Sequence, residues 1–65
     1  MNLIETVENW GKALRVEELA GLLSHSPKTL YKHIKAGSLP AYRIGGSILL
    51  DPSEVANWLR QRSTK

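Results

Sequence analysis

Apolar positions change their spacing as the chain proceeds. Val16, Leu19, Ala20 and Leu23 recur at three- and four-residue intervals and predict a helix over Val16–Leu23. Leu30 and Ile34 lie four apart and predict an inward stripe on a second helix, Ser26–Ala36, whose other faces carry Lys28, Tyr31, Lys32 and Lys35. Only Ser24-His25-Ser26 separates the two helices. Past Gly37 the helical spacing stops: Leu39-Pro40 ends any helix, and Ala41–Ile44, Gly45-Gly46 and Ser47–Leu50 read as a β-hairpin with a glycine turn. Val55, Trp58 and Leu59 restore helical spacing in a last helix ending near Arg62. Upstream, Leu3, Ile4, Val7 and Trp10 read as a short amphipathic helix or a packed arm broken by Gly11, with Trp10 as an apolar lid on the core.

End signals sharpen these boundaries. Ser26 followed by Pro27 is an N-cap and first-turn proline, and Gly37 is a left-handed terminator. Asp51, Pro52 and Glu54 read as cap, first-turn proline and capping box for the last helix. The Val16 helix is weaker. Glu17 and Glu18 suit its positive N-terminal end, but Arg15 stands where Ser, Thr, Asp or Asn would do better by about 1 kcal/mol. Gly21 in its interior costs about as much again relative to Ala. That helix depends on packing.

At 65 residues the chain is one domain without room for a deep substrate cavity. No cysteine is present, so disulfides and thiolate metal sites are excluded, as fits a reducing cytosol. Apolar runs fall far short of the roughly 20 residues that span a bilayer, and the acidic start MNLIETVENWGK does not read as a signal peptide. The expected setting is the cytoplasm, at the nucleoid. His25 and His33 are eight apart, outside helical pairing distance, with no carboxylate near enough to complete a metal site or a nucleophilic triad. Gly45-Gly46 lacks the strand–GxxxxGK–helix context of a phosphate loop. No enzyme, cofactor or small-molecule substrate is expected.

The charge distribution changes the picture more than the net charge of +3 does. From Leu19 to Leu50 there is no Asp or Glu, while Lys28, Lys32, Lys35, Arg43 and both histidines fall inside that stretch. A one-signed stretch is the footprint of a polyanion partner. It coincides with two short helices joined by three residues, the helix-turn-helix layout. A major groove about 12 Å wide admits one helix. The first turn at Ser26 and Pro27 would aim backbone N–H groups and positive dipole at phosphate. Lys28, Lys32 and Lys35 would release counterions, Tyr31 would offer a hydroxyl and ring at the groove edge, and Thr29 would hydrogen-bond phosphate or touch a thymine methyl. Lys35 also complements its helix end, Tyr31 could pack against the hairpin, and Tyr42 reads as core or hairpin packing. His33 could face solvent, core edge or phosphate.

From Leu14 to Leu59 the chain resembles the small excisionase-type DNA-binding proteins, relatives of the MerR (mercury-resistance regulator) winged helix-turn-helix class. The pieces VEELAGLL, SPKTLYKHIKAG, LPAYRIGG and DPSEVANWL carry the resemblance in family order. It implies a mainly α fold with a small β-hairpin: an arm or short helix over 1–13, a winged helix-turn-helix domain over 14–62 and a tail over 63–65. The first helix would cross the DNA backbone, the helix opening at Ser26-Pro27 would enter the major groove, and the hairpin would be the wing, with Arg43 and Ser47 toward flanking phosphates or the minor groove. Trp58 would be buried. Such proteins act as recombination directionality factors or small transcriptional regulators on double-stranded DNA, beside an integrase or further copies on repeated sites. Three positions depart from the pattern. Arg15 replaces Thr or Ser, which loses a cap but adds a phosphate-side cation; Gly21 replaces a polar helix former; and Leu49 stands where the wing usually has Arg or Lys. A wing with Arg43 as its only cation shifts DNA contact onto the helix. A second reading is a protein-interaction adaptor using Trp10 and the N-terminal apolar stripe as its contact patch.

Overall fold

The computed structural model describes residues 2–63, so Met1 and residues 64 and 65 of the expected tail lie outside it. The element order is α1 (Leu3–Glu8), β1 (Leu14–Arg15), α2 (Val16–Leu23), α3 (Pro27–Lys35), β2 (Tyr42–Ile44), β3 (Ser47–Leu50) and α4 (Pro52–Gln61). The antiparallel sheet has the order β1-β3-β2. Four helices around a small sheet are consistent with a winged helix-turn-helix, the expected class. No described helix is long and apolar enough to cross a membrane.

One core holds these elements together. Val7, Leu14, Val16, Leu19, Leu30, Leu39, Leu50 and Val55 are fully buried, with Ala20, Ala56 and Trp58 nearly so. Every element except β2 therefore contributes to it. The inward stripes of α2, α3 and α4 are those that the spacing predicts. Leu14 and Leu39 lie outside any periodic run and enter the core through tertiary pairing and loop return.

The N-terminal segment is a helix, closed by a capping box in which Asn2 Oδ1 accepts from Glu5 N–H at 2.9 Å. It lies against α4, where Glu8 pairs with Arg60. Both partners are largely exposed, so the ion pair contributes at most about 1 kcal/mol and Val7 dominates the docking. Ile4 and Trp10 also pack against the core. Of the N-terminal apolar stripe, Val7 is buried, Ile4 and Trp10 are partly covered, and Leu3 stays 41% exposed.

Two local expectations need correction. Asp51 does occupy the N-cap of α4, but its side chain makes no cap hydrogen bond. Glu54 does not complete a capping box; its carboxylate faces the Tyr42 hydroxyl, which the hairpin brings beside it. At α2, Arg15 is the N-cap residue and its side chain, having no acceptor, caps nothing. Half a capping box survives, because Glu18 Oε1 accepts from the Arg15 backbone N–H at 2.9 Å.

The turn between α2 and α3 rests on Ser24 in the left-handed region at φ 56°. His25 N–H donates to Ala20 C=O and Ser24 N–H to Gly21 C=O, a Schellman closure. The same closure ends α3, with Ser38 N–H on His33 C=O and Gly37 N–H on Ile34 C=O, but there Gly37 holds the left-handed position. Ser24 carries a Cβ penalty that Gly37 avoids. Ser24→Gly is therefore expected to raise stability by about 0.5–1 kcal/mol. Gly21→Ala, where an added Cβ meets nothing within 4 Å, is expected to add about 0.8–1 kcal/mol. Urea unfolding followed by circular dichroism checks both through the midpoint.

Candidate nucleic-acid interface

Helix α3 is built to present one face. Ser26 caps it, Oγ accepting from Thr29 N–H at 3.4 Å, and Pro27 opens its first turn. Leu30 is fully buried and Ile34 packs beside it. At about 100° per residue, Lys28, Lys32 and Lys35 fall within about 60° of one another on the opposite side. All three are exposed. Among the described residues the ion pair is Arg60 with Glu8, so none of the three ammonium groups is neutralised internally.

The remaining α3 side chains are occupied differently. The Thr29 hydroxyl lies 3.1 Å from Ser26 Oγ and is only half-exposed, so it belongs to the cap rather than reaching freely outward. His33 resolves to the core edge: its ring meets the edge of Trp58 at 5.3 Å between centroids, and Nδ1 lies 3.5 Å from Ser38 Oγ. Trp58 is buried, as the resemblance implies, with the Arg62 guanidinium over its ring at 4.3 Å. Arg60 and Arg62 are thus engaged on the α4 side.

Tyr31 points at the wing. It lines a recess of about 200 Å³ with Arg15, Glu17, Gly46, Ser47 and Ile48. Three expected site residues, Arg15, Tyr31 and Ser47, therefore meet at one place although the sequence spreads them over three elements. Glu17, exposed in the same recess, is an acid that sequence reading assigned only to the helix dipole.

Strand alternation sorts the wing. Arg43 lies across from Ile48 and Tyr42 across from Leu49. Cross-strand partners share a face and neighbours alternate. Arg43 thus leaves the sheet on the side of Ile48, which lines the Tyr31 recess and packs against the core. Tyr42 leaves on the other side, over a recess of about 470 Å³ shared with Ile44, Leu49, Lys12, Asp51 and Pro52. Tyr42 is 51% exposed, so it packs on the hairpin and not in the core.

The Tyr42 phenol carries a chemical mark of that placement. Its pKa is raised above the usual 10.0, first by side-chain hydrogen bonding to Glu54, then by the Glu54 charge, with smaller effects of burial and Asp51. The folded state favours the neutral phenol. Its contribution to stability is present below the unfolded value and lost as pH rises through the raised one. Alkaline titration of tyrosinate absorbance should find Tyr42 above 10.0, and Glu54→Gln should bring it down. An unchanged titration in that variant would separate the two groups.

Comparison with known proteins places this arrangement. A family model described as a helix-turn-helix domain matches residues 13–63. The uncharacterized protein YvgK of Bacillus subtilis (strain 168) is 44% identical over 43 residues, 66% of this chain. The match spans only 14% of that longer protein. No solved structure matches the chain. The chain belongs to the helix-turn-helix domain family, of the excisionase- and MerR-like type, a layout that supports DNA binding.

Proposed function

We propose that the chain binds double-stranded DNA sequence-specifically and without catalysis, with α3 in the major groove. The observation that carries this reading is the unpaired lysine stripe, Lys28, Lys32 and Lys35, on the outward face of a capped helix. Ser26 and Pro27 bring the positive helix end toward phosphate, Thr29 holds that cap in place, and Arg15, Tyr31 and Ser47 line the cleft where a flanking strand would run. Arg43 adds a phosphate contact from the wing. The work of the bound protein is that of a small excisionase or transcriptional regulator in the cytoplasm, at the nucleoid, beside an integrase or further copies of itself.

Salt dependence tests the binding. Fluorescence anisotropy on duplex DNA is expected to give a log–log slope of about −0.9 for each engaged phosphate. An apolar docking surface would give a flat response instead. Excision of an integrated element by purified integrase, with and without this protein, then separates the two roles: stimulation identifies an excisionase, and promoter repression without it a regulator.

A further inference from the structure

The composition of the outward face of α3 restricts what it can read. The helix PKTLYKHIK contains no Arg, Asn, Gln, Asp or Glu. Its Thr29 hydroxyl is held at the cap, His33 is turned to Trp58 and Ser38, and Tyr31 faces the wing recess. Tyr31 is itself exposed but leans into the cleft beside the wing, so the charged side chains of α3 free to enter a groove are the three exposed lysines. A lysine ammonium donates and never accepts. It cannot form the paired donor–acceptor contact by which Asn or Gln selects adenine, nor accept from the cytosine amine. Guanine alone presents two adjacent major-groove acceptors, N7 and O6, with no donor or methyl group beside them.

We infer that α3 reads guanine, with Lys28 and Lys32 donating to N7 and O6 and Lys35 on phosphate. This rests on the DNA-binding reading above. The division follows from position. The N-terminal residues of a groove helix meet base edges. Lys28 and Lys32 lie in the first two turns, whereas Lys35 closes the helix. The two readers are four residues apart, about 6 Å along the axis, so the guanines lie about two base-pair steps apart.

Three equal-length duplexes test this with the full chain: one with guanines at alternate positions, the same duplex carrying 7-deazaguanine, and an A·T-only duplex. Replacing N7 by carbon removes one acceptor and leaves base pairing intact. At about 0.15 M salt the guanine duplex is expected to bind at least about fivefold tighter than either of the others. Lys28→Ala/Lys32→Ala is expected to erase that preference, and Lys35→Ala to weaken all three duplexes alike and keep it. Circular dichroism verifies that both variants fold. Equal affinity for guanine and 7-deazaguanine duplexes, with binding otherwise intact, overturns the guanine assignment and leaves DNA binding standing. Binding to none of the three overturns both.

Discussion

Replacing Lys28, Lys32 and Lys35 together by alanine is expected to lower affinity for duplex DNA on the order of 10²-fold at about 0.1 M salt. The slope of log affinity against log salt should fall by between about 1 and 2.7, according to how many of the three reach phosphate. The size of the effect follows from the concentration of cations on α3: outside it, Arg15 and Arg43 flank the interface singly. Arg60 is paired with Glu8 and Arg62 lies over Trp58, on the α4 side of the domain. The wing offers Arg43, and Leu49 replaces the cation that the return strand of the resembling proteins carries. Alanine is a better helix former than lysine, and all three positions are exposed, so the variant keeps its fold. Affinity within about threefold of the original would remove α3 from the interface.

The second large effect is on stability. Leu30→Ala is expected to cost about 2–5 kcal/mol. Leu30 is completely buried on the inward side of α3, where it joins that helix to α2 and the core. Domains of this size have about 3–5 kcal/mol from a single core. The variant should therefore be largely unfolded at room temperature, with loss of the far-ultraviolet helical signal and of cooperative urea unfolding. Stability within about 1 kcal/mol of the original would mean that α3 does not sit on the core as described. The contrast between Leu30 and Lys28, two residues apart on one helix, separates the face that holds α3 from the face it presents.

How much of this was readable before the structure depends on how local each signal is. The bounds of α3 were legible because Ser26, Pro27 and Gly37 act within one turn of the helix ends. The hairpin register was legible because Gly45-Gly46 fixes the turn between two apolar runs. Strand β1 was not: two residues have no period, and Leu14 is a strand residue only because Leu50 pairs with it from far along the chain. Glu54 was misassigned for the same reason. Its spacing from Asp51 fits a capping box, but the hairpin brings the Tyr42 phenol beside the carboxylate, a neighbour that local spacing cannot show. Glu18 was a missed local signal: a glutamate three residues after an N-cap can accept from the cap N–H whatever the cap residue is. For the candidate site, the lysine face followed from helical spacing alone. The meeting of Arg15, Tyr31 and Ser47 required the three-dimensional return of the wing.

Heteronuclear NMR of the ¹⁵N-labelled chain, titrated with duplex DNA, tests most directly which element meets the nucleic acid. The largest amide shifts are expected along α3 and at Arg15 and Ser47, with α1 and the buried side of α4 nearly unmoved. Shifts centred on α1 and α4, with α3 unchanged, would contradict the assignment of α3 as the DNA-facing helix.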